Sequence, residues 1–184
     1  MIQTLFLDLF MIGMLIFSIL MLIYVSFGLT FIFGAPWVPS RTAAIRSMLE
    51  LADVKKGDVV TDLGSGDGRL LIMAVKDFGA RKGVGHEIHP GLIAYARMKA
   101  VLAGVSARLS FRQGNMYKLP IAKTDVIVLY LLNSTMNKLL PRLKADLDPD
   151  TRIVSNGFVF DGVEISKTMD NGEAKVHLYY ARDL

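Results

Sequence analysis

The chain has 184 residues, contains no cysteine, and is 52% hydrophobic. Residues 1–40 carry one charged side chain, that of Asp8. Residues 41–184 contain all 21 lysines and arginines and 16 of the 17 acidic residues, so the net charge of this part is 21 − 16 = +5. We therefore expect neither a fully soluble protein, nor a disordered chain, nor a polytopic transporter, and the absence of cysteine excludes disulfide frameworks, Cys-based zinc sites and thiol nucleophiles.

The first predicted element is a long apolar helix. Residues 9–33 form a run of 25 residues without a charge. A helix of that length extends about 37 Å, and the hydrocarbon core of a bilayer is about 30 Å thick. Residues 1–34 are therefore predicted to form a transmembrane anchor. A cleaved signal peptide is the alternative, but it would need a positively charged start and a shorter apolar core.

Residues 35–40 are predicted to form a stiff linker, because Pro36 and Pro39 restrict the backbone and prevent the helix from continuing. Basic side chains follow the apolar run and none precedes it, so the positive-inside rule places the rest of the chain in the cytoplasm. Trp37 lies where an interfacial aromatic residue is expected. We therefore expect a single-pass membrane protein with the lipid bilayer as a partner.

Strands and helices alternate after Ser40, which is predicted to cap a helix that extends to about Ala52. The predicted strands are 59–63, 83–88, 108–112, 125–132 and 151–155, and the predicted helices are 69–78, 90–103 and 134–147. Two further β-rich runs, 165–169 and 175–181, flank a turn at 170–172. The pattern predicts an α/β domain over residues 41–184, with a Rossmann-like, doubly wound, mostly parallel sheet and an antiparallel hairpin at its C-terminal edge.

A glycine-rich turn between the first strand and the next helix is the most informative stretch of this domain. Asp62 precedes Gly64, Gly66 and Gly68, so the spacing is G-x-G-x-G. A dinucleotide site needs G-x-G-x-x-G/A, but Arg69 occupies the last position, and the Gly-Lys-Ser/Thr of a phosphate-binding loop is absent. The turn is therefore predicted to accommodate a nucleoside that carries an amino acid rather than a pyrophosphate.

Glu87 ends the second predicted strand, 19 residues beyond Gly68. A carboxylate at this place can accept hydrogen bonds from both hydroxyls of a ribose. A cationic sulfonium would also favour nearby carboxylates over phosphate-binding cations. An ordinary tight turn with a solvated glutamate is the alternative interpretation.

The turn and Glu87 resemble those of the class I S-adenosylmethionine-dependent methyltransferases, and the resemblance covers about residues 40–184. Several segments resemble one group in that class, the single-pass membrane protein-lysine methyltransferases that act on the ATP synthase c-subunit or the adenine nucleotide carrier. These segments are Pro36-Trp37-Val38-Pro39-Ser40, Met48-Leu49-Glu50-Leu51-Ala52, Asp62-Leu63-Gly64-Ser65-Gly66-Asp67-Gly68-Arg69 and Val154-Ser155-Asn156. The chain looks like a prokaryotic relative of this group.

The resemblance implies S-adenosylmethionine as the cofactor. The residues that it implies for cofactor binding are Ser40, Asp62, Gly64, Ser65, Gly66, Gly68, Glu87, Asn115 and Met116. Ser40 and Asp62 would hold the methionine end, and Glu87 would hold the ribose. Asn115 and Met116 would flank the adenine. Many members have Asp where this chain has Asn115, whose side-chain oxygen can still face the adenine amino group.

The resemblance places the substrate at the ends of the fourth and fifth strands, where Tyr130, Asn133 and Asn156 are the candidate catalytic residues. Tyr130 would orient a lysine amine through its oxygen or through a cation–π contact. The alternatives are a core aromatic residue for Tyr130, a helix cap for Asn133 and a turn residue for Asn156.

Two segments depart from the pattern of the group. The segment 131–133 reads Leu-Leu-Asn where the group often has Leu-Leu-Pro, and the segment 156–158 reads Asn-Gly-Phe where the group often continues with a larger or basic residue. Both segments should border the substrate channel. Of the properties that the resemblance implies, the identity of the substrate is therefore the one least transferable from the group to this chain.

No metal site is predicted, because the histidines at 86, 89 and 177 are scattered, and His86 is predicted to face a helix on the side opposite to Glu87. No nucleic-acid partner is predicted despite a pI of about 9.3, because aromatic and basic residues do not interleave. We expect a membrane-anchored methyltransferase that acts on a lysine of an integral membrane protein. The alternatives are a methyltransferase of a quinone precursor or lipid, and a non-enzymatic cofactor-binding membrane adaptor.

Overall fold

The structure, a computed structural model, describes residues 2–33, 40–121, 123–170, 172 and 174–184. The predicted linker at 35–39, including Trp37, lies outside the described residues, as does Asn171 in the predicted C-terminal turn. The chain divides into two compact units, Met1–Trp37 and Val38–Leu184, and each is described by itself.

The first unit contains one long helix, α1 (Ile2–Phe33). Its apolar side chains from Leu5 to Leu22 are exposed, and by length and composition this stretch is sufficient to cross a membrane. The hydroxyl of Ser18 donates to the carbonyl of Met14 at 2.9 Å, which satisfies a polar group within the apolar helix. An N-terminal signal sequence meets the same criteria of length and composition.

The second unit is an α/β domain whose described residues form four helices and a seven-stranded sheet. The helices are α2 (Thr42–Leu51), α3 (Arg69–Lys76), α4 (Pro90–Leu102) and α5 (Asn133–Asp146). The strands are β1 (Val59–Leu63), β2 (Lys82–Glu87), β3 (Leu109–Gln113), β4 (Val126–Leu129), β5 (Arg152–Asn156), β6 (Lys167–Asp170) and β7 (Lys175–Tyr180). The sheet order is β3-β2-β1-β4-β5-β7-β6.

Strands β1 to β5 run parallel, and β7 runs antiparallel to both β5 and β6. This arrangement confirms the predicted fold class. The last strand in sequence, β7, lies between β5 and β6, so the predicted hairpin contributes two strands to this side of the sheet. All carboxyl ends of the parallel strands therefore meet at one edge, where α/β folds bind ligands.

Helices cover both faces of the sheet. The apolar sides of α2, α3 and α4 pack on one face, and α5 packs on the other. Because central strands are buried on both faces, β4 consists of four consecutive buried apolar residues, Val126–Leu129. The predicted strand 125–132 was too long at its end, since Leu131 leaves the sheet and packs beneath Gly64.

The helix starts differ from the sequence-based prediction at one position that matters for the site. Arg41, and not Ser40, is the residue before α2, and it makes no side-chain cap hydrogen bond. Its carbonyl accepts from the backbone N–H of Ile45 and closes the first helical turn. Ser40 therefore lies one residue outside the helix.

Gly68 packs closely against Phe111 of β3 and Ala96 of α4. It has φ +72°, and a Cβ built there would lie 2.6 Å from Phe111 Cζ and 3.1 Å from Ala96 Cβ. Phe111 cannot move away freely, because it is buried and also faces Gly85. Only glycine meets both requirements, the left-handed backbone and the missing side chain.

We predict that Gly68→Ala destabilises the domain far more than Gly104→Ala. Both residues have φ +72°, but a Cβ on Gly104 meets nothing within 4 Å. The left-handed conformation costs an alanine about 1–2 kcal/mol at either position, and overpacking against Phe111 adds about 1–3 kcal/mol at Gly68. Urea unfolding of both variants measures the difference, and equal losses would show that the close approach does not matter.

Candidate active site

The glycine turn follows β1 and is tied to β2 by backbone hydrogen bonds. The N–H groups of Gly64 and Ser65 both donate to the carbonyl of His86, at 2.8 and 3.0 Å. Positive φ angles at Gly64 and Gly66 reverse the chain over the end of the sheet. The turn thus presents backbone, without bulky side chains, at the carboxyl edge.

Glu87 fixes the relative position of three segments. Its Oε2 accepts from the N–H of Gly66 at 2.9 Å, and its Oε1 accepts from Ile88 and His89 at 2.8 and 2.9 Å. Two carboxylate oxygens offer about four acceptor directions, so roughly one remains for a ligand. The expectation that Glu87 receives two ribose hydroxyls stays a prediction, and this geometry favours one strong bond.

Asp62 is a buried carboxylate at the end of β1. It accepts no hydrogen bond from the part of the chain that the structure describes. Burial, reinforced by the negative charges of Glu87 and Asp67, raises the pKa of Asp62 to about 7. A buried acid in this state favours a cationic ligand beside it.

Asp67 is also buried, but its charge is neutralised within the protein. Its carboxylate lies 2.8 Å from Arg69 Nη2 and 2.7 Å from Lys99 Nζ. Burial alone would raise the pKa of Asp67, and the two cations outweigh it and hold the pKa below its usual range. Asp67 is therefore bound within the fold, whereas Asp62 is available to a ligand.

Arg69 also connects the turn to the start of the domain. Its Nη1 donates to the carbonyl of Ser40 at 3.1 Å, so the guanidinium bridges Asp67 and the segment that precedes α2. From the sequence, Arg69 was named for breaking the dinucleotide pattern and as the end of a family segment, without a role in the site, and Lys99 was not named. Ser40 thus reaches the neighbourhood of the turn through its backbone.

Ser65 packs over β2 rather than projecting from the turn. Its side chain is buried, and a Cβ on Gly85 would lie 2.5 Å from its Oγ. The hydroxyl has no hydrogen-bond partner among the described residues. It is an unpaired polar atom directly beneath the glycine turn.

Asn115 and Met116 lie in the loop after β3, next to Glu87. The loop is held by a hydrogen bond from the N–H of Gly114 to the carbonyl of Glu87. The Asn115 side-chain oxygen accepts from the N–H of Tyr117 at 2.9 Å, and the carbonyl of Met116 accepts from an arginine of α5. The Asn115 oxygen is therefore already in use on one side, and its NH₂ group can donate to an adenine ring nitrogen.

The three candidate catalytic residues come together at the ends of β4 and β5. Tyr130 is 37% exposed, and its ring centroid lies 6.0 Å from that of Phe158. Asn133 accepts from the N–H of Val159 at 3.2 Å through its Oδ1, so it holds the loop after β5 and does not cap α5. Asn156 is buried, and its Oδ1 lacks a partner among the described residues.

Phe158 is the residue of this group that sequence reasoning did not predict as a site residue. Its carbonyl accepts from Ser155 Oγ at 2.6 Å, which folds the loop back over the end of β5. Asn137 on α5 holds the same loop further along, through two hydrogen bonds with Asp161. The sequence signal at Phe158 was only its departure from the family motif.

The histidines do not contribute to this edge as metal ligands. His86 is fully buried on the face opposite to Glu87, and burial, with smaller contributions from Arg112 and Arg142, lowers its pKa to about 4. His89 caps α4 by accepting from the N–H of Leu92. No group of three potential metal ligands occurs in the described part of the chain.

The residues at this edge fit S-adenosylmethionine. The turn leaves its backbone open to a ligand, and Ser65 and Asn156 carry buried oxygens without partners among the residues that the structure describes. Asp62 adds a buried carboxylate, and roughly one acceptor direction of Glu87 remains unused. A ligand with hydroxyls at one end and a cationic centre at the other matches this donor and acceptor set.

Residues 62–167 match the family model described as the ANTKMT methyltransferase domain. The chain belongs to this family. The matched range begins at Asp62 of the glycine turn and extends to the start of β6. The similar solved structures include a methyltransferase in complex with S-adenosylhomocysteine at 41% identity, so the protein is a methyltransferase that uses S-adenosylmethionine.

Two relatives and one solved structure illustrate the similarity. The chain is 39% identical over 148 residues to a protein-lysine N-methyltransferase of Saccharolobus islandicus, covering 78% of this chain and 92% of the relative. It is 31% identical over 128 residues to the human lysine N-methyltransferase of the ATP synthase c-subunit, covering 68% of this chain and 52% of that protein. The chain thus spans about half the length of that human relative.

The solved structure is described as an RNA methyltransferase from Salinibacter ruber in complex with S-adenosylhomocysteine. It superimposes with a TM-score of 0.77 at 41% sequence identity, and the match covers 80% of this chain and 95% of that one. The shared core therefore includes nearly all of that protein.

We predict that cofactor affinity of the methyltransferase rises with pH up to about 7 and then levels off. The ionised form of Asp62 binds a cation, and below its pKa of about 7 a proton competes with the cofactor. Asp62→Asn should bind S-adenosylmethionine more weakly and without this pH dependence, as measured by calorimetry between about pH 5.5 and 8.5. The surface variant Asp148→Asn should behave as the unmodified protein.

The same raised pKa predicts an effect on stability in the absence of cofactor. The folded-state pKa lies above the value of 3.8 for a free aspartate, so ionisation of Asp62 destabilises the fold increasingly as pH rises from about 4 to 7. Asp62→Asn should therefore stabilise the cofactor-free protein at about pH 8 by about 2–4 kcal/mol. If Asp62→Asn leaves the stability unchanged and its cofactor binding still depends on pH, the group that titrates near pH 7 is not Asp62.

Proposed function

We propose that the protein is a membrane-anchored methyltransferase that transfers methyl groups from S-adenosylmethionine to a lysine side chain of a membrane-associated protein. The observation that carries the lysine assignment is the 39% identity to a protein-lysine N-methyltransferase over 92% of that relative. Relatives whose names specify membrane-protein targets, such as the adenine nucleotide translocase enzyme of Mus musculus, support a membrane-associated substrate.

The cofactor roles follow from the environment of each residue. Asp62 would face the cationic methionine end, and Glu87 would receive a ribose hydroxyl at its remaining acceptor direction. Gly64, Gly66 and Gly68 would let the backbone of the turn approach the cofactor. The Ser65 hydroxyl would donate a hydrogen bond to the cofactor or accept one from it. Ser40 would reach the carboxylate end, since Arg69 holds its carbonyl.

Asn115 and Met116 would border the adenine. The Asn115 oxygen already bonds to the N–H of Tyr117, so its NH₂ group would face an adenine ring nitrogen. In the many family members that have Asp at this position, a carboxylate oxygen would instead be expected to accept from the adenine amino group. The adenine contact would therefore be weaker at the exocyclic amino group.

When bound, S-adenosylmethionine supplies a methyl group activated by its sulfonium. The protein needs to align a neutral amine with it, so proximity and orientation contribute most. A lysine that enters beside the paired rings of Tyr130 and Phe158 loses water, and desolvation lowers the pKa of an amine. Its proton leaves to solvent before transfer, and a strong base in the protein is not required.

Asn156 and Asn133 would complete the substrate side. The unpaired Oδ1 of Asn156 offers an acceptor to an amine N–H, which would orient the nitrogen lone pair away from it. Asn133 would act through the loop after β5, because its own Oδ1 holds Val159. Tyr130 is exposed enough to meet an incoming side chain.

Membrane anchoring is proposed from α1 together with the charge distribution. The stretch from Leu5 to Leu22 is long and apolar enough to span. All lysines and arginines follow residue 40, so the positive-inside rule orients the catalytic domain toward the cytoplasm. Anchoring would keep the enzyme and an integral membrane substrate in the same two-dimensional phase and raise their effective concentration.

The substrate class is tested by incubating the purified protein, methyl-labelled S-adenosylmethionine and total membranes from a strain that lacks the gene. We expect label in a membrane-protein band, recovered after acid hydrolysis as methylated lysine. Label in the lipid extract would instead identify a quinone precursor or lipid. Added cellular RNA tests the activity named for the Salinibacter protein, and label in RNA alone would contradict the lysine assignment.

We predict that Tyr130→Ala lowers kcat by about tenfold or more, while Tyr130→Phe remains within about threefold of the unmodified enzyme. The ring provides the apolar wall and a cation–π surface, whose loss costs about 1–2 kcal/mol, and the hydroxyl contributes less. The affinity for S-adenosylmethionine should be the same in both variants, as measured by calorimetry. An equal loss in both variants would assign the role to the hydroxyl.

A further inference from the structure

Helix α4 lacks the polar outer face that a surface helix normally has. Its inner side chains are buried in the core, and four large apolar side chains point outward. These are Tyr95, Met98, Val101 and Leu102, which are 45%, 51%, 64% and 79% exposed. Three of them are spaced i, i+3 and i+7, so they lie on one side of the helix, and we call the four together the α4 stripe.

The α4 stripe is unusual within the domain. Outside α1, the large apolar side chains that are exposed in the described residues number seven, and four of them form this stripe. Two others, Tyr130 and Leu132, belong to the substrate side of the active site. Contiguous exposed apolar surface of this kind marks a place of contact with a protein, a ligand or a membrane.

The segment of sequence that contains the α4 stripe is basic. Residues 88–124 contain no aspartate or glutamate. The six basic residues of this segment are Arg97, Lys99, Arg108, Arg112, Lys118 and Lys123. Arg97 lies on α4 itself, and Arg108 follows in the short 3₁₀ turn after the helix. An apolar strip with Arg97 and Arg108 beside it, and with no acidic residue on α4, is complementary to an anionic lipid surface.

The α4 stripe is also connected to the point at which the chain enters the domain. Lys99 Nζ lies 5.5 Å from the centre of the Tyr95 ring and 2.7 Å from Asp67. Asp67 in turn pairs with Arg69, which donates to the carbonyl of Ser40. A short series of polar contacts therefore joins the stripe to Ser40.

Covalent length limits how far Ser40 can lie from the end of α1. The chain between Phe33 and Ser40 has 40 − 33 = 7 residue steps, which extend to at most about 25 Å in any conformation. If α1 spans the membrane, this length limits how far Ser40 can lie from the end of the spanning helix. Interfacial helices bury their apolar side about 5–10 Å into the bilayer surface.

We propose that the α4 stripe docks on the surface of an anionic lipid bilayer, with Met98, Val101 and Leu102 inserted among the headgroups. The proposal rests on the proposed anchoring by α1 and adds a second contact that orients the domain. Protein partners usually need about 20–30 residues on each side, which a stripe of four does not provide. Single-stranded nucleic acid needs aromatic stacking surfaces, and three of the four side chains are aliphatic.

The absence of cysteine allows a direct test with the full-length protein. Met98→Cys and Leu102→Cys, each labelled with an environment-sensitive fluorophore, report on the stripe, and Lys144→Cys on α5 is the control on the opposite face of the sheet. The protein is reconstituted into phosphatidylcholine vesicles with or without phosphatidylglycerol. Nitroxides on the acyl chains should quench positions 98 and 102 several-fold more than position 144, and more strongly with phosphatidylglycerol.

Each other outcome has a separate meaning. Failure of the protein to float with vesicles would contradict anchoring by α1, which belongs to the proposed function. If the protein floats with vesicles but iodide in the buffer quenches labels at positions 98 and 102 as strongly as a label at position 144, the docking of the stripe is contradicted and anchoring by α1 is not. Labels shielded from both iodide and lipid nitroxides would show that a second copy or another protein covers the stripe. If the fluorescence of the labels changes on addition of RNA but not of lipid, the stripe binds nucleic acid instead.

A charged variant connects docking to activity. Met98→Glu combined with Leu102→Glu should still float with vesicles and bind S-adenosylmethionine normally, but should lose the acyl-chain quenching of a label at position 101. Methylation of a membrane-embedded target should fall several-fold, while a soluble peptide with the same lysine should be methylated as before. Lys144→Glu, the matched change on α5, should leave all of these unchanged, and equal effects of both changes would contradict the proposal.

Discussion

The carboxylate of Glu87 is the interaction on which the arrangement of the site depends. Its three backbone hydrogen bonds join the turn after β1 to the end of β2 and the beginning of α4. A buried carboxylate is costly unless its acceptor directions are filled, and here the backbone fills most of them. The same group therefore determines the shape of the turn and, under the proposed function, would contribute an acceptor to the cofactor.

Two other acidic residues lie near this carboxylate, and they differ in whether the protein neutralises their charge. Asp67 is compensated by Arg69 and Lys99, which fasten α4 and the entry segment to the turn. Asp62 has no such compensation among the described residues, and its burial, with the negative charges of Glu87 and Asp67, raises its pKa. The fold thus keeps an uncompensated carboxylate at the carboxyl edge of the sheet, at a cost in stability that a bound cation would offset.

The sequence predicted most of the fold because its signals are local. Strands buried on both faces appear as continuous apolar runs, and the glycine spacing indicated a tight turn after β1. The predictions were less accurate where tertiary contacts decide: β4 ends at Leu129 because Leu131 is needed beneath Gly64, and Ser40 does not cap α2. The bridge from Arg69 to Ser40 and the place of Phe158 depend on segments far apart in the chain, which periodicity and spacing do not encode.

The position of β7 has a consequence for how the protein is made. This strand comes last in the sequence, yet it lies between β5 and β6 and pairs with both. β6 therefore has no neighbour in the sheet until Lys175–Tyr180 has left the ribosome. A domain whose synthesis is interrupted before β7 retains an unpaired β5 edge that quality-control proteases can recognise.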